Sequence, residues 1–174
     1  MSSAAILENA SVKRVREALR LRGVEGERVI ALDGAARTAA EAAAALGCEV
    51  GAIVKSLVFS CPGEGGEKQA VMALVAGDRQ CNVEMLGRAL GLGVTPGRAD
   101  ADLVRRATGF AIGGVGPLGH PEQLPIAIDG SLARFPLLRH LTGEGGEVTI
   151  ATSYYSAVLE HEAATVWRVI PDFN

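Results

Sequence analysis

Long hydrophobic runs are missing from this 174-residue chain. No stretch approaches the roughly 20 apolar residues that a bilayer-spanning helix needs, so no membrane partner is expected. The segment Met1–Arg20 has neither the charged start, the apolar stretch nor the small-residue cleavage site of a secretory signal, and a cytoplasmic location is the expectation. Cysteine is scarce: Cys48, Cys61 and Cys81 form no C-x-x-C pair and leave one over, which fits free thiols in a reducing compartment. The histidines His120, His140 and His161 stand about 20 residues apart with no acidic or cysteine partner at ligand spacing. His161-Glu162 begins like a zinc-protease motif, but Thr165 occupies the place of the second histidine. Neither metal nor cofactor is expected. A Walker loop is absent, since Gly63–Lys68 lacks its spacing and its Ser/Thr, and no G-x-S-x-G elbow supports a serine hydrolase. Positive charge is not in excess either: the net charge is −3 and the pI about 5.6, so a nucleic-acid partner must be met through a local patch or through its end.

The residues that are present describe a soluble globular protein, with 48% hydrophobic and 21% charged side chains. The length suits one domain spanning 1–174. Val12, Val15 and Leu19 predict a helix over Ser11–Arg22 that stops at Gly23. Its other faces carry Lys13, Arg14, Arg16, Arg20 and Arg22, either a basic binding surface or a solvated face. A strand over Arg28–Leu32 follows. Thr38-Ala39-Ala40-Glu41 reads as a capping box opening an alanine-rich helix that ends at Gly47. Ile53–Ser60 and Gln69–Ala76, separated by the glycine-rich turn Cys61–Lys68, predict a hairpin. Asn82 caps a helix over Val83–Leu90 with Gly91 at its end. Further helices are expected at Ala99–Ala107 and Ser153–Glu160, and strands at Phe110–Ile112, Leu124–Ile128, Val148–Ala151 and Val166–Val169. Short strands interspersed with helices favour a mixed sheet over a doubly wound parallel one.

Two features carry chemistry. Gly114-Val115-Gly116-Pro117-Leu118-Gly119 matches G-x-G-x-x-G formally, but Pro117 removes a donor that a dinucleotide-binding helix start needs, and Pro121 and Pro125 follow. With glycine at 113, 114, 116 and 119, the loop can come close to a ligand and aim several N–H groups at one oxygen; a tight packed turn is the alternative. Lys55 lies within the apolar strand Ala52–Phe59. Alternation places Ile53, Lys55, Leu57 and Phe59 on one face and Val54, Ser56 and Val58 on the other. Lys55 is then either buried at a cost that some use of its charge offsets, or a lysine that snorkels to water.

Together, Thr38–Gly47, Ile53–Phe59 and Thr108–His120 resemble the YbaK/prolyl-tRNA synthetase-associated editing-domain family over roughly residues 10–130. The resemblance implies a mixed α/β (α+β) fold with a mostly antiparallel, barrel-like sheet surrounded by short helices. It also implies hydrolysis of the ester in mischarged aminoacyl-tRNA carrying a small amino acid such as Ala, Ser, Thr or Cys. The implied catalytic residues are Lys55, Gly113 and Gly114, with Ser56, Gly116, Pro117, Gly119 and His120 as substrate contacts. Backbone N–H groups of Gly113–Gly119 would hold the ester carbonyl or its oxyanion, Lys55 would orient the terminal phosphate or ribose, and either His120 or a ribose hydroxyl of the substrate would position the water. The partners implied are the terminal adenosine and amino acid of aminoacyl-tRNA, and prolyl-tRNA synthetase. Many relatives carry Ser, Thr or another larger residue at Gly116, so a roomier or looser loop is expected here. The start at Met1 and the lack of a synthetase catalytic motif favour a free-standing protein over an insertion domain. A non-catalytic module that binds tRNA ends or amino acids is the competing expectation.

Overall fold

The computed structural model describes residues 3–21, 29–32, 34, 36–142, 148–152 and 167–170. The expected helix Ser153–Glu160, the Gly23 stop and His161 lie outside the described residues. The local signals in the sequence mostly find their elements. Helix α1 (Ser3–Leu7) leads into α2 (Ala10–Leu21), which buries Val12, Val15, Ala18 and Leu19, and strand β1 is Val29–Ala31. Thr38 caps α3 (Ala39–Leu46): its side chain accepts from Glu41 N, the Glu41 carboxylate reaches back to the Thr38 N–H, and Gly47 ends the helix at φ 62°. Strands β2 (Ile53–Pro62) and β3 (Lys68–Ala76) form the antiparallel hairpin. The Asn82 side chain caps α4 (Val83–Ala89). A two-residue strand β4 (Gly97–Arg98) precedes α5 (Ala101–Thr108), which Asp100 caps through Leu103 N.

Phe110–Ile112 is not a strand. Gly109 and Gly113 flank it at φ 75° and 87°, turning the chain on both sides, and Phe110 is driven into the core as a plug. Strands β5 (Ile126–Asp129), β6 (Leu138–Thr142), β7 (Val148–Thr152) and β8 (Trp167–Ile170) complete the sheet.

Among the described residues eight strands run in the order β1-β7-β6-β2-β3-β5-β8, with β4 on β2. Four pairings are antiparallel (β1–β7, β6–β7, β2–β3, β2–β4) and three parallel (β2–β6, β3–β5, β5–β8). The expected mixed α/β architecture is there, but the barrel-like closure is not. Closure requires the two end strands to pair, and among the described residues β1 and β8 share no ladder.

Each face of the sheet has its own apolar layer. Val54, Met72, Leu74, Ile126 and Ile128 pack with Val15 and Leu19 of α2, with Leu103 and Val104 of α5, and with Phe110. On the opposite face Val71, Ala73, Val75 and Ala127 pack with Leu86 of α4. Fully burying side chains of this size stabilises by about 1.5–3 kcal/mol each, and this holds the glycine-rich segment after Phe110 against the first face.

Strand β2 is flanked unevenly along its length. Strand β6 pairs with it only through Ile53 and Val54, and β4 only through Phe59 and Ser60. Between these contacts Lys55–Val58 have β3 on one side and, among the described residues, no strand on the other.

Candidate active site

The loop Gly113–His120 is held by its carbonyl groups. Thr142 Oγ1 donates to Gly114 O at 3.0 Å, His140 Nε2 lies 3.1 Å from Val115 O, and His120 Nε2 lies 2.8 Å from Gly116 O. Sequence reasoning missed Thr142 and weighed His140 only as a metal ligand. Both belong to β6, and the alternation Leu138, His140, Thr142 on one buried face was the signal available.

These contacts fix where the loop's donors point. The peptide bonds are trans, so each N–H is antiparallel to the preceding C=O. With the carbonyls of Gly114 and Val115 turned to β6, the N–H groups of Val115 and Gly116 face away from it. Both residues are buried, and neither N–H has a hydrogen-bond partner among the described residues. Leaving such a group unsatisfied costs about 1–3 kcal/mol, and two adjacent ones form a cradle for an acceptor.

The histidines are donors here. A carbonyl oxygen only accepts, so His120 Nε2 and His140 Nε2 each carry the proton in these bonds. His140 Nε2 also lies 3.0 Å from Ser56 Oγ, but a protonated nitrogen cannot take the hydroxyl proton, so the two are not a nucleophile–base pair. Burial pushes the His140 pKa down to about 4, outweighing the Val115 carbonyl that favours the charged form. The ring is therefore neutral at physiological pH. His120 stands edge-on to Phe110, with centroids 6.1 Å apart.

The glycines differ in what they do. Gly113 has φ 87° and open space around its Cα, whereas Gly119, at φ 81°, lies against the backbone of Arg14. The roomier loop expected at Gly116 is absent: a Cβ there would lie 3.0 Å from Phe110 Cζ, Thr142 Oγ1 and Val15 Cγ2. Gly114 and Pro117 are buried in the same segment.

Lys55 is half-buried and donates from Nζ to Arg79 O at 2.5 Å. Burial holds its ammonium below the usual lysine value, while Asp78, Cys81 and Asp129 pull it back up. Burial, with Asp129, pushes the neighbouring Cys81 thiol up to about 11, so it is no thiolate nucleophile at neutral pH. Lys55 leaves β2 on the face of Leu57, Phe59 and Val75; Ser56 leaves it on the face of Val54 and the glycine loop. The structure thus joins Ser56, Gly114, Gly116 and His120 around the loop and sets Lys55 across the sheet from them. The interval Lys55–Val58, which among the described residues has a strand on one side only, is where the two sides meet.

Hollows open on the surface formed by the described residues. One of about 180 Å³ lies between α2, α5 and Gly114; another, of about 550 Å³, lies beside α4 and away from the loop. Among the described residues no three His, Cys, Asp or Glu side chains gather to hold a metal ion. No described helix is long and apolar enough to cross a membrane.

Known proteins resemble this chain in sequence and in fold. Residues 33–152 match the profile of the aminoacyl-tRNA editing domain. The chain is 40% identical over 93 residues to the proline–tRNA ligase of Trichlorobacter lovleyi, a stretch that is 53% of this chain and 15% of the ligase. A solved structure of a proposed trans-editing enzyme for prolyl-tRNA synthetase superposes with TM-score 0.78 at 35% identity, over 95% of this chain and 98% of that one. A structure solved for computational grafting of linear epitopes onto scaffold proteins gives TM-score 0.76 at 34% identity, over 95% and 97%. The resemblance seen in the sequence holds over most of its length, and the chain belongs to the aminoacyl-tRNA editing-domain family.

Proposed function

We propose that this chain is a cytosolic deacylase that hydrolyses mischarged aminoacyl-tRNA carrying a small amino acid such as Ala, Ser, Thr or Cys, in support of prolyl-tRNA synthetase. The observation that carries this reading is that the N–H groups of the buried residues Val115 and Gly116 have no hydrogen-bond partner among the described residues and are turned away from β6 by the anchored carbonyls.

The ester carbonyl oxygen accepts from these two donors. Water adds to the carbonyl carbon, and the negative charge that develops on the oxygen falls where the donors are already fixed, so little reorganisation is needed. The bond between the carbonyl carbon and the ribose oxygen then breaks, releasing the free amino acid and a tRNA with its terminal hydroxyl restored. Lys55, at the interval where among the described residues β2 has a strand on one side only, adds a compact positive charge for the terminal ribose or phosphate. No histidine is needed as a base. His120 and His140 spend their Nε2 protons on the loop, and the ribose hydroxyl next to the ester orients the water. An ester demands less rate enhancement than an amide, so donors and one cation suffice.

The test is incubation with tRNAs charged with Ala, Ser, Thr and Cys, using native enzyme and Lys55→Ala. Native protein should deacylate at least one of them, and Lys55→Ala should lose deacylation with its unfolding midpoint little changed. Full activity in that variant overturns the role of Lys55. Binding of all four without hydrolysis overturns the enzyme reading in favour of a non-catalytic module.

A further inference from the structure

The hollow beside the glycine loop has a character of its own. It measures about 180 Å³ and is lined by Asn9 just before α2, Ser11 and Arg14 from its first turns, Arg105 from α5, and Phe110 and Gly114 from the loop segment. Every polar side chain in this set is a hydrogen-bond donor or an amide or hydroxyl, and none is a carboxylate.

Arg14 is positioned rather than loosely displayed. Its Nη2 donates to Gly109 O at 2.5 Å, and its guanidinium lies over the Phe110 ring, 5.0 Å from the centroid. That leaves the other N–H groups of the fork to a ligand. Of the basic residues on α2, Lys13 pairs with Glu8 and Arg20 with Glu17, and on β3 Lys68 pairs with Asp100. Arg14 has no ion pair among the described residues. In a chain of net charge −3 this is a local positive site, one loop residue away from the Val115 and Gly116 donors.

From this we infer that the hollow seats an internucleotide phosphate of the tRNA acceptor end, close to the ester. The inference rests on the deacylase reading for its choice of nucleic acid. Arginine suits the task because its planar fork matches two phosphate oxygens, and the hydroxyl of Ser11 and amide of Asn9 can add donors. The phosphate would set the position of the terminal nucleotide, leaving Val115 and Gly116 to meet the carbonyl. It would also explain how an acidic protein engages tRNA, by one well-placed contact near its end rather than by a broad basic face.

Binding of uncharged tRNA, which needs no catalysis, is the direct test. Arg105→Ala should weaken it about tenfold, as loss of a charge-assisted contact would. Arg105→Lys should recover most of that loss. The slope of log affinity against log salt should become shallower by about 0.7 for the lost single-strand phosphate contact. Equal affinities and equal salt slopes in native protein and Arg105→Ala overturn the inference, whatever the hydrolysis assay shows. In the hydrolysis assay, Arg105→Ala should raise KM for aminoacyl-tRNA far more than it lowers kcat. Its loss on aminoacyl-tRNA should also be several times its loss on an aminoacyl ester of adenosine, which has no phosphate; equal losses on the two substrates overturn the assignment. Arg14→Gln is the second variant, because Arg14 also packs on Phe110. With its unfolding midpoint measured alongside, it should show the same preference for the phosphate-bearing substrate.

Discussion

Acidification should reveal how the glycine loop is anchored. His140 is buried at 1% exposure, and its pKa is pushed from an ordinary 6.5 down to about 4. An unfolded chain leaves this ring near its ordinary value, so between pH 6.5 and 4 the unfolded state binds a proton that the folded state refuses. Stability from the neutral ring is therefore complete above pH 6.5, declines as the pH falls, and has nothing more to lose below about 4. At about 1.4 kcal/mol per pH unit of displacement, the loss over that window is roughly 3 kcal/mol, a large share of a small domain's stability. Urea unfolding at a series of pH values from 7 to 4 measures it, with His140→Gln as the reference. Glutamine keeps an N–H near Val115 O but does not titrate. Glu8, Glu17, Asp78 and Asp100 have lowered pKa values, so their contribution fades only at the acid end and is common to both proteins. The native protein should lose stability faster than the variant between pH 6.5 and 4. Parallel curves would refute the claim that the ring is held neutral.

Three further substitutions separate anchoring from packing. Thr142→Val leaves Gly114 O without its donor and should cost about 1–3 kcal/mol in denaturant unfolding, with kcat for deacylation falling more than KM rises. Gly116→Ala forces a methyl to within 3.0 Å of Phe110, Thr142 and Val15 and should destabilise by about 1–3 kcal/mol; a neutral result would mean these neighbours yield freely. Gly47→Ala, at φ 62° with open space around it, should cost about 1 kcal/mol through backbone strain alone and leave deacylation unchanged.

What could be read from the sequence was whatever a short stretch of chain decides for itself. The Thr38–Glu41 box, the Asn82 cap and the β2–β3 hairpin rest on neighbours in sequence, and each forms where expected. Phe110–Ile112 has the composition of a strand, yet the positive φ of Gly109 and Gly113 makes it a folded-back plug. Strand β4 is two residues long and exists only because β2 offers it a partner. Strand β6 was hidden by Arg139 and His140, whose polarity masks the apolar face; His140 is buried because a loop 25 residues earlier in the chain needs a donor. The same limit applies to the site. The sequence names Lys55 and the glycine loop, but only the pleat of β2 places them on opposite sides of the sheet.

The narrow junction between β2 and β6 has a mechanical consequence. Strands β6, β7 and β1 form a wing joined to β2 through the two residue pairs Ile53–Arg139 and Val54–His140. The glycine loop is tethered to that wing by His140 and Thr142, while Lys55 is carried by the long β2–β3 hairpin. The loop and the lysine are therefore carried by different strands, and the Ser56–His140 contact at 3.0 Å, together with Val29 and Leu138 in the shared core, is what ties the wing to β2 and fixes their relative placement.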